Sequence, residues 1–561
     1  MGSAGRWATN RVGVASRVRD WTRKGMGLMN RRGFHSRALA AVLGSGGLAG
    51  GAPGQDLGAG AGLFGEAPGV MLAERDRPAV VDGVASGDVG SDGIGVVWAR
   101  ADRPSLLVVE WSTVDSFRDA RRVVGAMATP ATGLTAQAIL DGLPAGQTIV
   151  YRAGFVDPFN PRARGRPVAG RFRTPPDVPG RDVRFAWGGD VAGQGFGIDA
   201  SRGGLGIFEA IRRAGPDFFL HSGDHVYADN PVLAELPLRD GTVWRNLVTE
   251  GTSKVAETIE EFRSRFRYNR LDEAVRDFGA EVPVLAQWDD HETLNNWYPG
   301  EILDDSRYAV KDVDLLAGRA RQAFFEHLPL RAITANPRRI YRSVCQGPDL
   351  EVFLLDQRTH RGANSANRQP ESSPATAFLG PEQLRWLLDG LRRSRATWKV
   401  VASDMPLGLV VADGPNQYEA LANGDPGGPL GRELELARLL GDLKAARVRN
   451  VVWLTADVHY AAAHHYDPER ARFADFDPFW EFVAGPLHAG GFGPGTLDPT
   501  FGPEVRFHSI PAGSPQNQAP ATGTQFFGQV AVSGRTQTMT VSLHNRTGAE
   551  IYKVDLPPER A

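Results

Sequence analysis

The chain has 561 residues, several times the roughly 100–200 of one domain, so more than one folded unit is expected. Hydrophobic residues make up 42% and charged residues 23%, globular values that exclude a disordered or fibrous chain. A single cysteine, Cys345, rules out an internal disulfide and any cysteine-cluster metal site, and a formal net charge of −2 gives no basis for a nucleic-acid-binding patch.

The charge is unevenly placed. Residues 1–40 carry nine Arg/Lys and one acid, leaving 54 basic against 64 acidic groups in the remainder. The basic stretch ends in Asn30-Arg31-Arg32-Gly33-Phe34, and a weakly apolar Ala/Leu/Gly run follows. Paired arginines before such a run are the pattern of a twin-arginine export signal, placed at 1–54; the alternative is a disordered basic N-terminus. The run is shorter than the about 20 apolar residues of a membrane helix, so no span is expected in the mature chain. A linker is placed at 55–77.

Residues 78–176 read as a small all-β sandwich, fibronectin- or Ig-like. Strands at 84–86, 93–99, 106–112 and 149–155 are rich in Val, Trp and β-branched residues, with Asp/Gly/Pro turns between them. From 177 to 561 strands and helices alternate. Apolar strands at 183–187, 217–220, 282–286, 350–355, 398–402 and 451–454 run among helices at 205–213, 383–391 and 432–445. Continuous apolar runs suit strands covered on both faces, and this unit is read as a four-layer α/β/β/α domain.

The chemistry gathers where strands stop. Four of them run into Gly189-Asp190, into Gly223-Asp224-His225-Val226-Tyr227, into Trp288-Asp289-Asp290-His291-Glu292, and into Asp457-Val458-His459. A single Gly-Asp after a strand is ordinary turn chemistry. Four within one domain, at the edge where open α/β sheets bind ligands, point to a site of several metal ions held by carboxylate and imidazole.

These four blocks, in this order, together with Leu355-Asp356-Gln357-Arg358 and the Val84-Ala85-Ser86-Gly87-Asp88 start, resemble the metallophosphoesterases. Within them they are most similar to the alkaline phosphatase D (PhoD-type) family, over residues 78–545. The resemblance implies an exported phosphoesterase with iron and calcium ions acting on a small phosphate ester. It makes Asp224 and Tyr227 iron ligands, with Asp224 bridging to a second metal near Asp290 and Asn295 or Asn296, and Asp457 and His459 closing the site. It gives His291 the task of stabilising or protonating the leaving oxygen, the alternative being a hydrogen-bonded support.

One departure stands out. Where the family's founding pattern has Ser-Cys-Gln, with a thiolate on iron, this chain has Trp187-Gly188-Gly189-Asp190. Either the thiolate is missing or Asp190 replaces it with a carboxylate, which leaves manganese or zinc open beside iron and calcium. Cys345 is expected to pack as a small hydrophobe. Arg358 and Arg361 follow a strand and either fork onto phosphate or make surface salt bridges. His464-His465 and His488 are weaker extensions of the site, Trp386, Trp453 and Trp480 read as core, and 260–270 as a solvated helix face. The functional expectation is hydrolysis of phosphate mono- or diesters by a metal-activated water. The alternatives are a phosphodiesterase or phospholipase-like preference, and a secreted binding protein on a silent phosphoesterase fold.

Overall fold

Residues 73–332 and 335–560 are described in the computed structural model of the chain. The expected signal segment 1–54, its Arg31-Arg32 pair and most of the linker 55–77 lie outside the described residues. The last part of that linker holds a short 3-10 turn, Glu74–Asp76.

The β-branched runs that follow become two sets of strands. Val80–Gly87, Gly95–Ala101 and Thr135–Leu140 pair antiparallel. Arg121–Ala128, Ser105–Ser112, Thr148–Val156 and Val168–Arg173 make a four-stranded sheet in that order. Val84, Val97 and Ala99 of the first set share one core with Leu107, Val109, Ile149 and Phe155 of the second. Burying such side chains stabilises by about 1.5–3 kcal/mol each for the larger ones.

The expected boundary at 176/177 does not interrupt the hydrogen bonding. Gly87 pairs in parallel with Val284, so the first set extends a nine-stranded sheet. From the far edge that sheet runs Glu550–Leu556, Met539–Asn545, Phe526–Val532, Val183–Gly188, Phe218–Ser222, Val284–Gln287, then the three N-terminal strands. Docking hides an edge that would otherwise offer unpaired amides. The junction is pinned by a buried Asp88–Arg342 ion pair at 2.6 Å and by Trp98 Nε1 donating to the Glu326 carbonyl at 2.7 Å.

A second sheet of seven strands runs Arg342–Cys345, Leu350–Leu354, Trp398–Ala402, Val451–Thr455, Phe479–Val483, Ala462–Tyr466 and Pro503–His508. Its apolar runs are unbroken because both faces are covered. Val352, Val400 and Leu454 share a core with Phe185, Trp187 and Leu220 of the nine-stranded sheet. Phe353, Val401 and Trp453 pack with Leu387, Leu391, Leu436 and Leu440 of the helices Gly380–Arg393 and Glu433–Ala445. On the nine-stranded sheet, Ala186 and Phe219 pack with Phe208, Ile211 and Phe278 of the helices Ile207–Arg213 and Glu273–Glu281. Within each sheet the central strands are parallel, so their carboxyl ends open on one edge.

Three sequence expectations are corrected here. Cys345 is exposed, not packed: it ends an edge strand on which Val344 points inward, and its thiol lies 3.3 Å from the Gly347 carbonyl. The 260–270 segment is helical (Ile259–Asn269) but not simply solvated. Arg263 is buried in a two-armed pair with Glu326 at 2.7 and 2.8 Å, and buried Arg265 donates to the Asn230 and Lys254 carbonyls. Trp453 is core as expected, whereas Trp386 is half-buried against the same cluster and Trp480 half-buried against the core between the two sheets. Among the described residues no helix is long and apolar enough to cross a membrane.

Candidate metal centre

Several strand ends in the parallel regions of the two sheets deliver an acid through a tight turn. Asp190, Asp224, Asp457 and His459 all adopt left-handed backbone conformations, with φ of 70°, 50°, 66° and 60°. Non-glycine residues seldom stay there unless the surroundings hold them, and such strain concentrates at functional sites. Gly223, at φ +96°, must be glycine: a Cβ would run into the Cβ of Asp289, so its absence lets two ligand turns touch.

The turns bring three overlapping sets together, each with ligand atoms within 4.8 Å of one another: Asp190, Asp224 and His459; Asp224, Asp290 and His291; and Asp289, Asp290 and Asp457. Asp224 belongs to two of these sets, the position a bridging carboxylate needs. Tyr227 is buried and its hydroxyl lies 2.8 Å from His459 Nε2. His459 Nδ1 donates to the Gly490 carbonyl at 2.6 Å, so the lone pair of Nε2 faces the cluster.

Whether cations suit this pocket is answered by what the side chains lack. Both oxygens of Asp190 and Oδ1 of Asp290 are buried without a hydrogen-bond partner. Burial pushes the Asp190 carboxyl up to about 8 and the Asp224 carboxyl well above its usual range, and it pushes His459 down to about 4. Carboxylates resisting ionisation beside an imidazole resisting protonation are a set short of positive charge that keeps its lone pairs free. Hard oxygens with one or two imidazoles fit divalent or ferric ions. Asp290 behaves differently: burial opposes its charge, but His291 and Arg358 outweigh burial and hold its carboxyl below the usual value.

His291 sits among these acids with its ring 4.2 Å from that of Tyr227, and its backbone N–H donates to Asp224 Oδ1 at 3.1 Å. Its Nδ1 lies 2.7 Å from Asp229 Oδ1, which leaves Nε2 for another partner. Burial works against the imidazolium, yet Asp229, Asp290 and Asp224 together hold it well above its usual range. Glu292, the last residue of the Trp-Asp-Asp-His-Glu block, is a staple: its two oxygens accept from the His225 and Asp289 backbone N–H groups at 2.7 and 2.8 Å.

The structure separates the sequence-predicted residues. Asp190, Asp224, Tyr227, Asp290, His291, Asp457 and His459 converge. Asn295 does not join them: it is exposed, and its backbone N–H donates to Asp229 Oδ2. Its neighbour Asn296 donates from its backbone to Asp290 Oδ2 at 2.5 Å. Arg358 is neither a surface salt bridge nor free to fork onto phosphate, because its side chain is 0% exposed and surrounded by carboxylates. Arg361 is buried with it, donating to Asn364 Oδ1 at 2.8 Å.

His464 is paired with Glu481 inside the seven-stranded sheet, and His465 packs on Trp480. His488 is held by Gln525 and the Gly197 carbonyl. Among the described residues none of the three belongs to a candidate ligand set. Asp229, Asp404 and Glu419 went unread in the sequence. Asp404 was legible in principle, since it follows the Trp398–Ala402 strand as Asp190 and Asp224 follow theirs. Asp229 and Glu419 lie in loops where nothing local marks them.

A profile described as PhoD-like phosphatase matches residues 185–543, and one described as its N-terminal domain matches 66–176. The chain belongs to the PhoD-like phosphatase family. It is 28% identical to alkaline phosphatase D of Bacillus subtilis (strain 168) over 435 residues, 73% of this chain and 70% of that protein. A solved structure of PhoD covers 85% of this chain and 92% of its own, with a TM-score of 0.62 at 20% identity. The purple acid phosphatase PPD1 from yellow lupin covers 86% of this chain and 74% of its own, with a TM-score of 0.54 at 13% identity. At such identities these two structures speak to the fold, a mixed α/β architecture with several sheets. The family expected from the strand-end motifs is thereby borne out, and the protein is a metal-dependent phosphoester hydrolase.

Proposed function

We propose that this PhoD-like phosphatase is an exported enzyme that hydrolyses phosphate mono- or diesters with a metal-activated water as nucleophile. The observation that carries this reading is the convergence of Asp190, Asp224, Asp290, Asp457, His459 and Tyr227 from separate strand ends, with unpartnered buried oxygens at its centre. In this reading those six residues would hold the metals. Asp190 supplies the carboxylate that stands where the family's founding pattern has a thiolate. Iron and calcium follow from the family resemblance, and manganese or zinc suits the same oxygen and imidazole donors. Bound cations neutralise phosphate charge and lower the pKa of bound water to about 7.

The chain's own residues do the rest. Asp229 fixes the His291 ring through Nδ1, so the proton on Nε2 is the one presented to the leaving oxygen of the ester. Burial of the centre excludes bulk water from that proton. Glu292 keeps the Asp224 and Asp289 turns at a constant separation while substrate comes and goes.

The layering of the two sheets and their outer helices fits the four-layer α/β/β/α arrangement, and the seven N-terminal strands fit a sandwich-like unit over 78–176. Export through the twin-arginine pathway is proposed from Arg31-Arg32. The deciding experiment is elemental analysis of the purified protein with parallel assays on p-nitrophenyl phosphate and bis-p-nitrophenyl phosphate. Metal content that tracks activity supports the reading, and the preferred ester sets mono- against diesterase. A metal-free protein as active as the loaded one would refute it.

A further inference from the structure

Arg358 is enclosed by carboxylates on every side its guanidinium presents. Nη2 lies 2.6 Å from Asp289 Oδ1, 3.6 Å from Asp457 Oδ1 and 3.9 Å from Asp290 Oδ1. Nε lies 3.3 Å from Asp404 Oδ2, and Nη1 lies 2.7 Å from Glu419 Oε2. Asp289, Asp290 and Asp457 are also one of the three sets whose oxygens lie within 4.8 Å of one another, and the set without a histidine. By donor chemistry it is a third cation site. By position it is the site nearest to Nη2.

We infer that Arg358 is the resident cation of the Asp289–Asp290–Asp457 set, taking the place of a metal ion there and holding the Asp290 and Asp457 oxygens for the ions on the other side. This makes it a positioning residue. The inference rests on the metal-centre reading above and goes beyond it in assigning one of the three sets to the protein's own charge.

Three features support it. A guanidinium stays charged at any accessible pH and spreads its charge over a flat fork, so it can serve several carboxylates at once. It is locked by hydrogen bonds: Nε donates to Asp289 Oδ1 at 2.6 Å and Nη1 to Glu419 Oε2 at 2.7 Å, Glu419 Oε2 also lies 3.8 Å from Arg361 Nη1, and Arg432 donates to the Glu419 carbonyl at 2.6 Å. A cation fixed in this way needs no reorganisation during turnover. Finally, a divalent ion within the set would sit against Nη2, and two cations so close in a buried site repel strongly. A metal at that point therefore requires the arginine to leave, and its five carboxylate neighbours keep it there.

The test compares the full chain with Arg358→Met and Arg358→Lys, using Mn2+ as the probe ion after chelator stripping and counting bound Mn2+ by electron paramagnetic resonance. Arg358→Met should bind one more Mn2+ per chain than the wild type, because the vacated carboxylates recruit an ion. Its kcat should fall by roughly 10–100-fold, the range for residues that orient ligands. Arg358→Lys keeps the charge and should bind the wild-type number. Equal Mn2+ counts in wild type and Arg358→Met overturn the inference. Should Arg358→Met not fold, the wild type alone decides: crystals soaked in Mn2+ should show no anomalous peak among Asp289, Asp290 and Asp457, and a peak there overturns the inference. A wild type that takes up no Mn2+ and holds no other metal by elemental analysis overturns the metal-centre reading and this inference with it, whereas a peak among those three aspartates overturns the inference alone.

Discussion

Replacing Asp229 by Asn tests the chemistry assigned to His291. Asp229 Oδ1 accepts from His291 Nδ1 at 2.7 Å, with the two side chains 4% and 11% exposed. A buried hydrogen bond between charged groups contributes roughly 1.5–3 kcal/mol. Asparagine keeps the shape but loses the charge that favours the imidazolium, and its amide can turn an N–H toward the ring. If the whole of that interaction is felt in the transition state, the rate falls by about 10- to 150-fold, since each 1.36 kcal/mol is tenfold. The loss should depend on the leaving group. A poor one such as the alkoxide of an alkyl phosphate needs the proton from Nε2, so kcat should fall across the full range. Nitrophenolate leaves without help, so kcat on p-nitrophenyl phosphate should fall only a few-fold, with KM little changed. Steady-state kinetics on both substrates, at matched metal content, separates the cases. Equal losses for the two leaving groups would refute the proton-donor role and leave His291 and Asp229 as structural support.

Other outcomes are expected. Asp190→Ala should strip at least one metal and reduce activity by roughly 10–100-fold or more, whereas Asp190→Cys should keep a metal but change its identity or redox behaviour; unchanged stoichiometry in the alanine variant by elemental analysis would remove Asp190 from the centre. Asp224→Asn should lose metal and turnover together, and full metal content with no activity would point to another role. Glu433 is buried against Asp498, and burial pushes it from 4.5 up to about 8. The folded chain therefore binds a proton that the unfolded chain has lost, and stability declines as pH rises from about 4.5 to about 8. Glu433→Gln should remove up to about 5 kcal/mol of that decline, so urea unfolding at pH 9 should favour the variant while the two proteins converge near pH 4; identical curves at pH 9 would exclude the effect. Replacing Arg31 and Arg32 together by lysine should hold the precursor in the cytoplasm, and wild-type export in cell fractionation would contradict the proposed route.

The strand ends were readable because the signal is local. An apolar β-rich run followed by Gly-Asp states both the element and the place where its ligand emerges, and parallel sheets bring such places to one edge. Asp190, Asp224, Asp290, His291, Asp457 and His459 stand out as candidates in this way, and so does the family. Cys345 and the arginines of the 259–269 helix were misjudged because burial is a property of neighbours. The same residue on an edge strand faces solvent, and an arginine on a charged helix is buried when Glu326 arrives opposite it. Arg358 shows the limit most clearly. Its sequence neighbours say only that it follows a strand, while its partners Asp289, Asp404, Glu419 and Asp457 come from four other segments. Asp229 was hidden for the same reason, since its role depends on a histidine 62 positions away. Sequence alone determined which strands end in candidate metal ligands, because that depends on consecutive residues. Only the tertiary structure decided which charges face one another in the buried interior, because partners such as Asp289, Asp404, Glu419 and Asp457 reach Arg358 from separate segments of the chain.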